Sequence, residues 1–181
     1  MRIPLSALIG LVLTGTFLFV AIFAHWIAPY PISDSSGGQW EGMSATHWLG
    51  TDTIGRDILS RLIYGAQITI FVALASSILS FSLGAFLGFL AAVKGGWADQ
   101  LLSRLVDLVM AVPSLIVALV MLSVLPLNLT VLILVMGVLD STRVFRLSRA
   151  VAVDIAVMDY VEAAKLRGEK GTWIIFREIL P

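Results

Sequence analysis

The sequence predicts an all-α protein that crosses a membrane several times. Of its 181 residues, 59% are apolar and only 13% are charged, and the mean hydropathy is +0.97. Ordinary soluble domains carry about 25% charged residues. Apolar runs of about 20 residues, the length that a helix needs to cross a bilayer, recur along the chain. A short charged segment around Glu162 is the main exception to this apolar pattern.

Composition also limits the chemistry. The chain has no cysteine, which excludes disulfides, iron–sulfur clusters and thiolate zinc sites within it. His25 and His47 are the two histidines, and neither lies in a spacing typical of metal ligands. We therefore predict no metal site and no catalytic residue on this chain.

Four segments are predicted to span the membrane. The first, residues 5–27, follows Arg2 as a signal peptide would, but it is longer than a signal core and no small-residue cleavage pattern follows it. It is therefore predicted to be a retained anchor. The other three spans are residues 68–93, 105–125 with a kink at Pro113, and 127–147.

The fourth span is the least regular, because its uncharged run ends at Asp140. We expect the helix to continue through residues 141–147, with Asp140 and Arg143 near the membrane interface. Asn128 begins a glycosylation-type triplet, which we interpret as turn chemistry because it lies in a very tight connection.

Lysine and arginine counts predict the orientation. Seven basic residues, from Arg143 to Arg177, lie at and beyond the charged end of the fourth span. That end is therefore predicted to be cytoplasmic, together with the N-terminus and the 94–104 connector. The 28–67 loop is predicted to face outward.

Small side chains recur every fourth residue along the second span. Such a ridge lets two helices approach closely, either within the chain or against a second subunit or a moving gate. Its members are Ser76, Ser80, Gly84, Gly88 and Ala92. On the third span, Arg104 and Asp107 share a helix face and are predicted to pair.

Residues 47–57 of the outer loop form a glycine- and aspartate-rich motif. It is not a phosphate loop, because no Gly-Lys-Ser/Thr follows, and its acidic spacing does not fit a calcium loop. Residues 57–64 are predicted to form an interfacial helix, and Trp40 and Trp48 suit the headgroup level.

The charged segment predicts a short cytoplasmic helix over residues 160–167. Asp159 is suited to cap it, with Glu162 three residues later, and Gly168 is suited to end it in the left-handed conformation. Val161, Ala163 and Ala164 give it a small apolar side, which favours docking to another protein over a plain solvated connector.

These residues resemble the membrane-spanning permease subunits of binding-protein-dependent ABC importers. The family signature is Glu-Ala-Ala, three residues, Gly, nine residues and Ile-x-Leu-Pro. Glu162, Ala163, Ala164 and Gly168 match it, and Leu180-Pro181 lies at the expected distance, but Glu178 occupies the isoleucine position. The loop motif is similar to the dipeptide, oligopeptide and nickel branch, in its second-permease type; the matching residues are His47, Trp48, Gly50, Thr51, Asp52, Gly55, Arg56 and Asp57.

The resemblance implies a MetI-like helical bundle with an anchor at 1–27, a periplasmic loop at 28–67 and a permease core at 68–181. It implies a bacterial inner-membrane location, a second and usually different permease subunit, two cytoplasmic ATPases that bind ATP and Mg²⁺, an external solute-binding protein, and no nucleic acid. The ATPase-coupling residues would be Tyr160, Glu162, Ala163, Ala164, Lys165 and Gly168.

Such permeases typically have six spans, so the last two would be missing from this chain. The implied function is import of a small solute, either a peptide or nickel, by alternating access. Two alternatives remain open: an ion-coupled carrier or channel, which would need titratable groups at mid-membrane, and a membrane scaffold without transport activity.

Overall fold

The computed structural model describes residues 4–35, 37–126, 128–169 and 171–174. Within these residues every regular element is a helix, and the one extended pairing is an isolated antiparallel bridge between Thr51 and Asp57. The predicted all-α class is therefore confirmed. The helices are α1 (Leu5–Ile22), α2 (Ala24–Ile27), α3 (Ile58–Lys94), α4 (Gly96–Met110), α5 (Ser114–Val124), α6 (Leu129–Ala156), α7 (Asp159–Leu166) and α8 (Gly171–Ile174).

The chain divides into two compact units, residues 1–72 and 73–181. The first unit holds α1, α2, the 28–57 loop and the beginning of α3. The second holds the rest of α3 and the helices that follow it. Each unit is described by itself below.

The predicted 5–27 span is a helix with one interruption. α1 starts after Pro4, whose fixed backbone suits a helix entry, and it ends at Ile22. After Phe23, α2 adds a single turn. Almost all side chains of α1 are exposed, which suits contact with lipid. The side-chain amide nitrogen Nε2 of Gln67 donates a 2.9 Å hydrogen bond to the Ala21 carbonyl and ties the first part of α3 to the end of α1.

The start of α3 differs from the prediction. Residues 57–64 are not a separate interfacial helix, because α3 runs without a break from Ile58 to Lys94 over 37 residues. The predicted 68–93 span is its second part. No proline interrupts this stretch, so nothing in the backbone forces the two predicted helices apart.

The predicted third span is broken more sharply than expected. α4 and α5 meet at an angle of 82° across residues 111–113, and Pro113 is the cap of α5. α4 starts at Gly96, so the predicted 94–104 connector is mostly helical. Proline lacks the amide that would continue the helix, which accounts for the break at this position.

α6 is longer than the predicted 127–147 span. It begins at Asn128, whose side-chain oxygen accepts a 2.8 Å bond from the Val131 amide, which confirms the predicted turn chemistry. It continues past Asp140, as expected, but it ends only at Ala156. Asp140 therefore lies near the middle of α6 and not near its end.

Two helices, α1 and α3, are long and apolar enough to cross a membrane, and a third span results if the bent α4–α5 pair is counted as one. α6 does not meet this test among the described helices. The fourth predicted span thus stays a prediction on these criteria.

α3 and α6 cross at the small-residue ridge within the second unit. A Cβ atom added at Gly84 would lie 2.5 Å from the Ser141 carbonyl oxygen and 2.7 Å from Val144 Cβ. A Cβ at Gly88 would lie 2.8 Å from the Phe145 carbonyl oxygen. Real Cβ atoms do not come this close to backbone, so only glycine allows the two helices to touch here.

Side chains of α6 fill the rest of this crossing. Phe145 is 2% exposed, Ser80 and Ser141 are buried, and Gly137 packs on Leu79. On its other side, α6 packs against α5 in a small apolar cluster of Ala118, Val135 and Leu139. α6 is therefore the central helix of this unit.

The expected pair on α4 is replaced by a different one. Within the described residues Arg104 and Asp107 form no salt bridge; instead, Asp99 of α4 accepts two hydrogen bonds from Arg149 of α6. The Nη2 donor lies 2.6 Å from Oδ2, and Nε bonds Oδ1. Such a two-pronged contact fixes both distance and orientation between the helices.

Candidate functional site

Asp57, the last residue of the 28–57 loop, is the centre of a hydrogen-bonded cluster. It is 4% exposed, and its Oδ2 accepts hydrogen bonds from the Ser60 amide at 2.7 Å and the Ser60 hydroxyl at 2.8 Å. Its Oδ1 lies 3.1 Å from Nδ1 of His47. Asp57 thus caps the first turn of α3 and binds the start of the motif to it.

Tyr30 completes this arrangement. Its amide donates to the Ser60 hydroxyl at 3.1 Å, its own hydroxyl donates to the Thr46 carbonyl at 3.0 Å, and its ring packs on the His47 ring. The entry to the loop and its exit into α3 are therefore joined through one hydrogen-bonded cluster.

Asp52 organises the middle of the motif. Its Oδ1 accepts from the Arg56 amide at 2.9 Å and the Ile54 amide at 3.0 Å, and its Oδ2 accepts from Arg56 Nε at 3.0 Å and Arg61 at 2.5 Å. One carboxylate therefore holds a tight turn and attaches it to α3.

Thr51 and Gly55 explain two further motif positions. The Thr51 hydroxyl donates to the Gly38 carbonyl at 2.6 Å and accepts from the Glu41 amide at 2.9 Å. Gly55 has φ +78°, and a Cβ there would collide with the Gly37 carbonyl. These motif residues therefore hold the loop in its folded form, and this structural role accounts for their presence in the motif.

Both motif carboxylates are held in the ionised form. The Arg56 amide, then the Ile54 amide and the Arg56 side chain, keep the pKa of Asp52 well below its usual range against a smaller effect of burial. Burial raises the pKa of Asp57, but the bonds from Ser60 and His47 outweigh it and leave the pKa lowered.

We therefore expect acid to loosen the 28–57 loop. A carboxylate whose pKa is lowered by folding stabilises the fold above the unfolded value of about 3.9, and this stability is lost as the pH falls through the lower folded value. Hydrogen exchange of the Ile54, Arg56 and Ser60 amides in the detergent-solubilised protein measures this. Protection should hold at pH 5 to 7 and fall below about pH 4; a loss centred near pH 6 would contradict the assignment.

Trp48 belongs to the motif but lies outside this network. It is 71% exposed; Trp40 is exposed to a similar degree and Ile54 to a smaller one. The sequence placed Trp40 and Trp48 at headgroup level; the structure shows that both rings are free of the loop interior.

At the other end of the chain, α7 is attached to the second unit by one face. Val161 and Ala164 are fully buried with Ala152 of α6, and Phe89, Ala92 and Val93 of α3 pack on this cluster. Two of the three residues of the predicted apolar side, Val161 and Ala164, are therefore used inside the chain, whereas the third, Ala163, is exposed. Ala92, the last member of the ridge, takes part in this contact.

The opposite face of α7 is open. Tyr160 and Ala163 are exposed on it, and so is Leu166 at its end, which is 84% exposed. Val157 and Met158, in the turn just before α7, are also exposed, and the sequence analysis selected none of these last three apolar side chains. An apolar patch of this kind on a connector is typical of a surface that binds a partner.

The end of α7 is fixed by backbone geometry. Gly168 has φ +79°, and the Glu169 amide bonds the Ala164 carbonyl at 3.2 Å, which is the six-to-one bond of a Schellman motif. The predicted stop at Gly168 matches this geometry. The helix starts at Asp159, one residue earlier than predicted.

Part of the predicted signature lies outside the described residues. Glu162 and Lys165 are in the helical backbone of α7, but their side chains are not described. Lys170, Glu178, Leu180 and Pro181 also lie outside the described part.

Comparison with known proteins agrees with these features. Residues 84–181 match the family described as binding-protein-dependent transport system inner membrane component, and residues 6–41 match the N-terminal transmembrane domain of oligopeptide transport permease C. The second match covers α1, α2 and the beginning of the loop.

Individual relatives are similar along almost the whole chain. A di/tripeptide transport system permease protein of Pseudomonas aeruginosa is 35% identical over 97% of this chain and 60% of its own length. A dipeptide permease of Alkalihalophilus pseudofirmus is 32% identical, over 97% and 58%. An oligopeptide permease of Bacillus subtilis is 31% identical, also over 97% and 58%.

The chain thus spans roughly three fifths of the length of these relatives. The matched residues include the α3–α6 crossing and the whole of α7. Helical architecture, candidate spans and sequence similarity agree, and the chain belongs to the family of binding-protein-dependent transport system inner membrane components.

Proposed function

We propose that this chain is part of a permease subunit that imports small peptides through a bacterial inner membrane, driven by partner ATPases. The similar proteins are named for dipeptides, di/tripeptides and oligopeptides, which favours peptide over nickel. A second permease, two ATPases that bind ATP with Mg²⁺, and an external binding protein would complete the importer. The N-terminus would be cytoplasmic.

The single observation that supports coupling most directly is the two-sided use of α7. One face is locked to the ends of α3 and α6, and the other is exposed and partly apolar. A partner that moves α7 would therefore pull on both helices. Since these helices touch through glycines with no room to slip, they would follow as one body and change access to the pathway.

The role of each α7 residue follows from its position. Tyr160, Ala163 and Leu166 would contact the ATPase, and Glu162 and Lys165 would supply charge from the same helix. Ala164 would act from inside by fixing α7 to α3 and α6. Gly168 would let the chain turn away.

The experiment uses the full-length permease with its partner subunits in proteoliposomes. Gly168→Ala forces a side chain into the left-handed region, at a cost of about 1 kcal/mol, and Glu162→Ala removes the signature carboxylate. We expect peptide uptake to fall about tenfold or more in both variants while the two permeases still assemble. ATP hydrolysis stimulated by loaded binding protein should fall in parallel.

Gly171→Ala is the matched control, because its Cβ would meet only an ordinary contact with Val93 at 3.5 Å. It should retain uptake. Normal uptake in Glu162→Ala and Gly168→Ala would argue against coupling through α7. Uptake driven by an ion gradient without ATP would favour a carrier, and failure of any ATPase to co-purify would favour a scaffold.

A further inference from the structure

The bend between α4 and α5 leaves a cavity against α6. It has a volume of about 330 Å³, and a second cavity of about 120 Å³ adjoins it through the shared lining residues Ser114, Leu115 and Leu139. Small-ligand sites typically measure about 300–1,000 Å³. Pro113 lines the larger cavity and also causes the bend, so the space is built into the helix geometry.

Two opposite charges of α6 border this space. Arg143, with Thr142, lines the larger cavity, and Asp140 lines the smaller one. Asp140 is half-buried and Arg143 is exposed. Among the described residues, neither side chain has a hydrogen-bond or ion-pair partner, although they lie three residues apart on one helix.

The α3–α6 crossing sets their depth. Leu79 faces Gly137, Gly84 faces Ser141 and Gly88 faces Phe145. The contacts advance together along both helices, so the two helices run in the same direction through the crossing. Gly84 lies ten residues before Lys94, the charged end of α3, which corresponds to about 15 Å along the axis. The hydrocarbon core is about 30 Å thick. Taking Lys94 as the edge of that core places Ser141 and its neighbour Asp140 near the middle of the bilayer.

An acid and a base at this depth need a reason. Charges inside a membrane are costly, and they usually pair with each other or line a solute pathway. A cavity separates these two side chains from the bent α4–α5 pair. Neither side chain has a partner within the described residues. The arrangement therefore favours a ligand that carries both charges.

We infer that Asp140 and Arg143 bind the two ends of a zwitterionic peptide in passage, Asp140 the terminal ammonium and Arg143 the terminal carboxylate. An extended dipeptide separates these groups by about 7 Å, and side chains three apart on a helix have Cβ atoms about 5–6 Å apart. The long Arg143 side chain makes up the difference between these two distances, and its guanidinium binds a carboxylate with two parallel hydrogen bonds. The apolar lining, from Leu115 and Leu139, accepts the peptide side chains.

This inference rests on the proposed peptide import, so the test separates the two. Dialanine uptake by the wild-type importer in proteoliposomes examines the function alone. The site is then probed in the full-length permease pair with its ATPases, after removal of any cysteines beyond these 181 residues, which contain none. Ser114→Cys places one thiol at the cavity wall, and its rate of maleimide labelling is measured.

Dialanine should slow labelling about fivefold at about four times its Kd, because occupancy excludes the reagent. N-acetyl-dialanine amide, which lacks both charges, should give no protection. Asp140→Asn should abolish protection by dialanine, and Asp140→Glu should keep part of it. Asp154→Asn is the matched control, since Asp154 is exposed on the same helix and lines neither cavity.

Wild-type uptake of dialanine with equal protection by both compounds, or with protection intact in Asp140→Asn, would overturn the site while leaving the proposed function standing. Absence of dialanine uptake would overturn the proposed function and the site with it. Basal ATP hydrolysis of each variant reports whether its fold is intact. A variant that loses this activity is replaced by Arg143→Gln, for which protection by dialanine amide, which keeps the ammonium and lacks the carboxylate, should equal that by dialanine.

Discussion

Gly84→Ala should destabilise the protein by about 2 kcal/mol, the range found when a methyl group is forced into a packed contact. The new Cβ would lie 2.5 Å from the Ser141 carbonyl oxygen and 3.0 Å from the Phe145 amide nitrogen. These are backbone atoms, so the clash is not relieved by turning a side chain. α3 and α6 must separate, and the contact that holds α7 weakens with them. Denaturant titration of the full-length protein in detergent measures the effect.

Gly65→Ala is a matched control in the same helix, because a Cβ at Gly65 meets nothing within 4 Å. Its free energy of unfolding should stay within about 0.5 kcal/mol of wild type. Gly88→Ala should resemble Gly84→Ala. Equal stability of Gly84→Ala and Gly65→Ala would mean that the helices do not touch at the ridge, and that the ridge faces a second subunit instead.

Asp57→Ala should destabilise the 28–57 loop by about 3 kcal/mol, since hydrogen bonds to a charged group contribute about 1.5–3 kcal/mol each and buried donors would be left unpaired. The donors are the amide and hydroxyl of Ser60, and His47 also loses its partner. Limited proteolysis of the full-length protein, which samples the open loop, measures this change.

Smaller losses should follow partial removal of the same cluster. Ser60→Ala removes the hydroxyl but keeps the amide bond to Asp57, so its effect should be about half as large. Ser33→Ala, at an exposed serine of the same loop, should leave the cleavage rate unchanged. If Asp57→Ala is cleaved no faster than Ser33→Ala, the cluster does not hold the loop.

The helices were predictable where the signal is local. Apolar length locates α1 and most of α3, Asn128 identifies the start of α6, and Gly168 identifies the end of α7, because each depends on residues close in sequence. The break at Pro113 was also visible, although its angle was not. Propensity cannot state an angle of 82°, which depends on what α6 offers for packing.

What the sequence missed depends on contacts between distant residues. Arg104 and Asp107 share a face, but Asp99 is matched by Arg149, fifty residues away. The 57–64 helix was separated from the span by its charges, yet Asp52 and the loop accommodate those charges and α3 continues. The small-residue ridge was recognised from its period, but only the structure identifies α6 as the helix against it.

The depth of Asp140 changes one argument. The sequence analysis placed it near the interface, and an ion-coupled carrier would need titratable groups at mid-membrane. On the depth inferred above from the contact of α6 with α3, Asp140 is itself such a group, and that reason no longer applies. Membership in the family of binding-protein-dependent transport components is now the argument against an ion-coupled carrier.

The small-residue ridge on α3 has a consequence for the insertion of the protein into the membrane. A charge at the centre of an inserting helix costs about 2.5–3.5 kcal/mol, and α6 contains both Asp140 and Arg143. α6 alone would therefore leave the translocon toward lipid with difficulty. α3 is synthesised before α6. Its small-residue ridge is therefore available for α6 to pack against while α6 is being inserted. A lesion at Gly84 would then act during biogenesis as well, as failed membrane integration of α6 and early degradation of the chain.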